Sequence, residues 1–344
     1  MRLPIAFIHV LVLVALGMPA CMPTDVDYMP PPDIDGDSQM LSGDIIIRSQ
    51  SDARSLPKRP FSVAGDVEVV NSDLTDLEPL AYLRQANVLR IQGNRELQTM
   101  AGLDRVRVVE HVHIDDNELL GDVLGLDKTE LVTRVMISKN PRLLSLEGLR
   151  SVKRIGGGGL TISDNESLEQ IRDLEALERI EGPLRIERNS GLLNLETARK
   201  IESVVDVVVT NNNGLISLKL DVGTVANDVV ITDNRDLGTF AAFGSLASIG
   251  RDLTIQNNPG LTIIDGFTAS FQTIGRTLKI ENNDALTDAY LLSINLFSVG
   301  GSVIVVGNNI LSDCRAQDFD LLVDTIGGFI DIGDNSPEYD PCYD

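Results

Sequence analysis

The sequence predicts an all-β fold, a right-handed parallel β-helix in which the short strands of successive coils stack into sheets. Three observations predict it: an Asn recurs every 22 to 27 residues, apolar residues stand five and three positions before it, and Leu stands three positions after it in ten repeats of eleven. A period of this length is typical of proteins built as a stack of coils. We therefore expect a single solenoid of about 11–13 coils.

The first 20 residues are typical of a secretory signal peptide. Arg2 is the only charged residue, and an apolar run of twelve residues extends from Ile5 to Leu16. This run is too short for a transmembrane helix, which needs about 20 residues. The segment resembles the signal of bacterial lipoproteins, in which a cysteine becomes the N-terminus and carries acyl chains. That resemblance implies lipidation at Cys21 and a place in the cell envelope, at the outer membrane or the cell surface. Ordinary cleavage after Gly17 is the alternative, and it would leave Cys21 as a thiol.

A tether is predicted for residues 21–40. Between residues 22 and 40 the chain holds four Pro and five Asp and few residues that suit a core. A segment so rich in Pro and charge stays solvated and extended. The sequence therefore divides into a signal peptide at 1–20, this tether, and a solenoid at 41–344.

The repeated Asn anchors the alignment of the coils. Because side chains alternate along a strand, the residues five and three positions before each Asn point into the core, and those four and two positions before it point to solvent. Each Asn follows a strand, where its amide can satisfy backbone groups of its own and adjacent turns. We expect this column of side chains to form a structural ladder. Its members are Asn94, Asn117, Asn140, Asn165, Asn189, Asn212, Asn234, Asn258, Asn283, Asn308 and Asn335.

The unit I-G-x-x-L-x-I-x-x-N-x-x-L resembles the repeat of the receptor L domain, the leucine-rich β-helix of insulin-receptor and epidermal-growth-factor-receptor ectodomains and of bacterial surface lipoproteins. The resemblance covers Leu89 to Ile332 well and Leu41 to Asn71 loosely. It implies a leucine-rich-repeat-like solenoid at the cell surface with a binding role. The sequence shows no kinase, no transmembrane helix and no cysteine-rich module, which gives little support to an expectation of receptor signalling.

The solvent-facing columns of the predicted sheet give a candidate binding face. It is rich in hydroxyl groups in its middle and apolar around Val208, Val230 and Ile304. Such a surface suits an extended partner, an unknown protein or glycan, although no aromatic ring for stacking sugars occurs in these columns. The face comprises Met136, Thr161, Arg185, Val208, Thr210, Val230, Thr232, Thr254 and Ile304.

Metal, cofactor and nucleic-acid binding find little support in the sequence. His111, His113 and Asp115 lie on one face of one predicted strand and would offer zinc three ligands. No fourth ligand is identifiable, so we predict no metal and no cofactor. Twenty-nine Lys and Arg against 51 Asp and Glu give a net charge of -22. A chain this acidic repels phosphate backbones, which disfavours nucleic acid as a partner.

We expect a non-catalytic surface protein that binds or adheres through this face and touches the membrane only through its lipid anchor. No nucleophile or zinc-protease motif occurs in the sequence. Two alternatives stay open. One is a structural envelope protein without a specific ligand, and the other is a polysaccharide-degrading β-helix enzyme.

The remaining two cysteines suggest a clamp at the C-terminal end. Cys314 follows Asn308 by six residues and Cys342 follows Asn335 by seven, so adjacent coils would bring the two thiols together. A disulfide between them would contribute roughly 3 to 4 kcal/mol in the chain-entropy model. It would hold the last coil, which has no following coil to cover it.

Overall fold

The computed structural model describes residues 38–197, 201–241 and 243–336. They lie within one compact unit, Asp35–Asp344, and form 27 strands, three α-helices and two 3-10 helices. The predicted all-β solenoid is confirmed, with parallel strands stacked over about 13 coils. The first strand begins at Gln39, just inside the segment predicted as a tether.

The elements follow one another in a regular order along the chain. The first six coils contain β1 (Gln39–Leu41), β2 (Ile45–Ile47), α1 (Gln50–Arg54), β3 (Phe61–Val63), β4 (Val67–Val70), β5 (Leu83–Gln92), β6 (Val108–Asp115), β7 (Leu131–Ser138) and β8 (Arg154–Ser163), with 3-10 helices at Glu78–Leu80 and Glu147–Leu149. The next coils contain β9 (Gln170–Ile171), β10 (Arg179–Ile180), β11 (Leu184–Glu187), β12 (Asn194–Glu196), β13 (Ile201–Val204), β14 (Val207–Thr210), β15 (Ser217–Lys219), β16 (Val222–Val225), β17 (Val229–Thr232), β18 (Thr239–Ala241), β19 (Ser248–Ile249) and β20 (Leu253–Gln256). The last coils contain β21 (Ile263–Asp265), β22 (Thr273–Ile274), β23 (Leu278–Glu281), α2 (Tyr290–Asn295), β24 (Ser298–Val299), β25 (Val303–Val306), α3 (Asp313–Leu322), β26 (Thr325–Ile326) and β27 (Ile330–Gly333).

One side of every coil belongs to the main sheet. Its strands follow the order β2-β4-β5-β6-β7-β8-β11-β14-β17-β20-β23-β25-β27. All pairs are parallel, and equivalent residues of successive coils lie side by side, as Ile186, Val209 and Ile231 do. A second side is formed in the later coils by the sheet β13-β16-β19-β22-β24-β26, and a third by β9-β12-β15-β18-β21. The long strand β5 pairs with both β3 and β4, so it runs along the second side and then the main sheet.

The Asn side chains form the predicted ladder, and Asn212 shows its geometry. Its Oδ1 accepts two hydrogen bonds from Asn189, one from the backbone N–H at 3.0 Å and one from Nδ2 at 3.2 Å. Its own Nδ2 donates to the carbonyl oxygens of Ile186 at 2.8 Å and Thr210 at 3.1 Å. Nδ2 also donates to Oδ1 of Asn234 at 3.3 Å. Each amide from Asn94 to Asn308 therefore joins three coils and leaves no polar atom of its own unsatisfied, whereas Asn335 bonds only to the preceding coil within the described structure.

The ladder begins one residue later in the chain than the loose alignment at Asn71 suggests. Ser72 takes the ladder position of the second coil, because its backbone N–H and its hydroxyl both donate to Oδ1 of Asn94, at 2.9 and 2.7 Å. The ladder Asn residues from Asn94 to Asn308 have no exposed surface, and Asn335, the last of the ladder, is 7% exposed. The repeat thus has one member more than the Asn pattern reveals.

The residue before each ladder position adopts the left-handed backbone conformation, with φ between 49° and 69°. Most of these residues are Asn, Asp or Gly, which tolerate this conformation best. Lys139 and Arg188 are the exceptions. In this conformation the guanidinium of Arg188 donates to both carboxylate oxygens of Asp164, at 2.8 and 3.0 Å. The tight turn that aims each Asn inward therefore accounts for the composition of this column.

The apolar columns predicted for the core are buried. The residues five and three positions before the Asn, and the Leu three positions after it, are at most 2% exposed in the coils from Leu89 to Leu311. In the last coil Ile330 is 39% exposed, since no later strand of the described chain follows β27. Among the largest side chains of the core, the rings of Phe240, Phe243 and Phe267 lie within 5.9 Å of one another, centroid to centroid.

The Gly of the repeat is explained by the corner between the second side and the main sheet. A Cβ atom on Gly275 would lie 2.0 Å from the carbonyl oxygen of Gly250, one coil earlier. Gly300 and Gly327 meet the preceding coil in the same way, at 2.2 Å each. A side chain at any of these three positions would push two coils apart, so only Gly fits there.

We expect Asn212→Ala to destabilise the solenoid by about 2–4 kcal/mol, because it leaves the Asn189 N–H buried without a partner and removes the side-chain bond to the Ile186 carbonyl. Urea-induced unfolding followed by circular dichroism measures the loss. Asn309→Ala is the matched control: Asn309 is exposed, bonds only to Asp284 in the described structure, and should change stability by less than about 0.5 kcal/mol. Equal unfolding midpoints for the Asn212 variant and the wild type would show that the ladder does not support the fold.

Candidate functional site

The residues predicted as a binding face lie in register on the solvent side of the main sheet. Seven of them share one row, in which each residue pairs with its equivalent on the next strand and Lys279 stands between the last two. These seven are Met136, Thr161, Arg185, Val208, Val230, Thr254 and Ile304. Thr210 and Thr232 occupy the neighbouring row, with their Oγ1 atoms 3.0 Å apart. The structure therefore brings all nine onto one surface, and every one of them is half-buried.

The row changes character along the solenoid. Val208 and Val230 are adjacent and form a small apolar strip beside the paired hydroxyls of Thr210 and Thr232. Toward the N-terminal end of the strip, Arg185 lies 3.6 Å from Glu187, which follows two residues later on the same strand. Strands of a sheet are about 4.8 Å apart. The row thus presents apolar, hydroxyl and charged groups to solvent at the regular spacing of the strands.

The three residues weighed as zinc ligands lie on β6, but they do not converge. The ring centroids of His111 and His113 are 6.4 Å apart. Asp115 is occupied elsewhere: it accepts from the hydroxyl of Ser138 at 2.6 Å and lies 3.8 Å from the Nζ of Lys139. Across residues 38–197, 201–241 and 243–336, no group of three or more His, Cys, Asp and Glu side chains is placed to hold a metal ion.

Cations surround the two histidines. Arg90, on the neighbouring strand β5, lies level with His113. Arg134, on the other neighbouring strand β7, lies level with His111. Burial lowers the pKa of His113 below its usual 6.5, and the charges of Arg90, His111 and Arg134 lower it further, against an opposing effect of Asp115. This positive surrounding disfavours a metal cation. The two arginines occupy repeat positions equivalent to those of the histidines, so column alignment could have identified this cluster from the sequence.

The predicted covalent features fall largely outside the described residues. Cys21 and Cys342 both do, so lipidation and the disulfide stay predictions. Cys314 is the second residue of α3. In the part of the chain that the structure describes, no helix combines the length and the apolar character needed to cross a membrane.

We expect His113 to make the protein less stable as the pH falls below 6.5. Because the pKa of His113 is lowered in the folded state, the unfolded chain takes up the proton more readily, and protonation favours unfolding. Urea unfolding between about pH 7.5 and 5.5, above the usual range of carboxylates, should show this decline. His113→Gln should reduce the decline. A His113 ring that titrates at or above 6.5 in NMR spectra would contradict the expectation.

The chain was compared with protein-family models and with curated proteins, and neither comparison found a match. The likeness to the receptor L domain therefore rests on the repeat alone. Its shared residues are the buried strand residues, the corner Gly and the ladder Asn described above. These positions determine the architecture, and none of them belongs to the solvent face.

Proposed function

We propose that this protein is an exported, lipid-anchored surface protein that binds an extended protein or glycan along its main sheet without catalysing a reaction. The observation that supports this most is the row from Met136 to Ile304 with its neighbouring Thr pair. It is a long, regular surface on which adjacent strands present equivalent side chains in register.

The chemistry of the row favours an extended partner over a small molecule. Val208 and Val230 provide apolar contact, and Thr210 and Thr232 provide hydroxyl groups that donate and accept. Small ligands usually occupy concave pockets that bury most of their surface. A partner that lies across many strands instead gathers modest contacts at each one, which suits a polymer or an extended peptide.

The N-terminal segment supports a location at the cell surface. A signal-like segment precedes Cys21, and a Pro- and Asp-rich tether separates this residue from the solenoid. An extended Pro-rich chain spans about 3 Å per residue. The tether is therefore long enough to hold the sheet away from a membrane in which Cys21 is anchored. The likeness of the repeat to the receptor L domain agrees with a binding role.

The binding face is tested by introducing charge into the apolar strip. The double variant Val208→Glu, Val230→Glu should lose a partner that the wild-type protein captures from native surface material, because two carboxylates would have to be desolvated on binding. Ile216→Glu is the matched control, since Ile216 is 52% exposed and lies away from the main sheet. Capture of nothing by the wild type would favour the structural alternative. Release of reducing or unsaturated ends from a polysaccharide panel would favour the enzyme.

The lipid anchor is tested by Cys21→Ala. If Cys21 carries acyl chains, this variant should move from the membrane fraction to the soluble fraction and lose the label when cells are grown with a radiolabelled fatty acid. One acyl chain holds a protein to a membrane only marginally, so the loss of every chain should release it. A Cys21→Ala variant that stays in the membrane fraction would overturn lipidation as the mode of attachment.

A further inference from the structure

A cationic cluster lies at the N-terminal end of the main sheet, in a chain that is otherwise acidic. It is formed by Arg90 on β5, His111 and His113 on β6, and Arg134 on β7. Arg90 is level with His113, and His111 is level with Arg134. All four side chains are on the solvent side of adjacent strands, which are about 4.8 Å apart. Four nitrogen-bearing groups thus surround one patch of the sheet.

The cluster has few counter-charges. Arg90 forms one ion pair, with Glu68 at 3.2 Å. Arg134 is exposed, and among the described residues it forms no ion pair. Strand β6 carries two acids, Glu110 and Asp115; Asp115 is bonded to Ser138 and faces Lys139, and among the described residues neither acid forms an ion pair with Arg90 or Arg134. The patch therefore keeps an excess of positive charge.

The two imidazole rings have a defined orientation. The Nδ1 atoms of His111 and His113 are buried and have no hydrogen-bond partner in the described structure. The Nε2 atoms of the two rings are not fully buried, and neither has a hydrogen-bond partner among the described residues. Nε2 is therefore the ring nitrogen that faces solvent and can donate to a ligand.

The distribution of charge along the chain makes this cluster unusual. Residues 38–200 hold 22 Lys and Arg against 26 Asp and Glu, whereas residues 201–344 hold 6 against 20. An anionic ligand would be repelled by the later coils and directed to the earlier ones. Burial is the main cause of the lowered pKa of His113, and the nearby charges of Arg90 and Arg134 lower this pKa further.

We infer that Arg90, His111, His113 and Arg134 form a binding site for an oxyanion, a phosphate or sulfate group. The planar guanidinium groups match the geometry of such oxygens, and charge-assisted hydrogen bonds to them are strong. The Nε2–H groups of the two histidines supply further donors. The site adds a ligand class at one end of the sheet. It does not depend on the proposed partner-binding role, because simple ions report it directly.

The test is a sulfate titration of the full-length protein, observed through the ring protons of His111 and His113 by NMR. Sulfate should raise the pKa of His113, since a bound anion stabilises the imidazolium form. Chloride at the same ionic strength should not. Arg134→Gln should weaken sulfate binding about tenfold or more, because it removes a charge-assisted hydrogen bond without disturbing an ion pair.

Arg251→Gln is the matched control. Arg251 is an exposed arginine in the acidic residues 201–344 and lies 3.8 Å from Asp228, so its replacement should leave sulfate binding unchanged.

A comparison of dextran sulfate with inorganic sulfate, at equal sulfate concentration, identifies the source of the bound oxyanion. Tighter binding of the polymer supports a site for a sulfated chain, and equal binding supports a site for the free anion. The inference is overturned if chloride acts as sulfate does, or if the two arginine variants weaken binding equally.

Discussion

The buried amide of the ladder Asn is the interaction on which the rest of this solenoid depends. Every coil must turn at the end of its main strand, and a turn inside a stack leaves backbone N–H and C=O groups that water cannot reach. The Asn side chain supplies both a donor and an acceptor at that place, and it bonds to the coils on either side. The left-handed residue before it and the apolar residues on either side follow from the need to aim this amide inward.

Much of the fold follows from the sequence because the same requirements recur in every coil. The Asn period, the buried columns and the solvent-facing rows were all predictable, since strand alternation converts a spacing into a direction. Ser72 was missed because a hydroxyl replaces the amide there, and the pattern was anchored on Asn. The helix α3, ten residues long, was also not expected from the repeat.

The candidate site was predictable only in part, for a physical reason. Membership of the solvent face depends on strand alternation, which the sequence shows directly. The cluster of Arg90, Arg134 and the two histidines depends on which residues of different strands are level with each other. That relation requires an alignment of coils and attention to the chemistry within each row. His111, His113 and Asp115 were weighed as zinc ligands from one strand alone, and no metal was predicted; the neighbouring strands place arginines beside the histidines.

The in-register stacking also makes the coil the natural unit of change during evolution. Each coil makes its hydrogen bonds mainly with the coil before and the coil after it, and the ladder offers the same donor and acceptor at every level. Duplication or loss of one complete coil, such as the 22 residues from Asn212 to Asp233, preserves both junctions. A gain or loss of a few residues within a main strand would instead break the register of every row. Such a protein can therefore lengthen or shorten its main sheet in whole steps while its core stays the same.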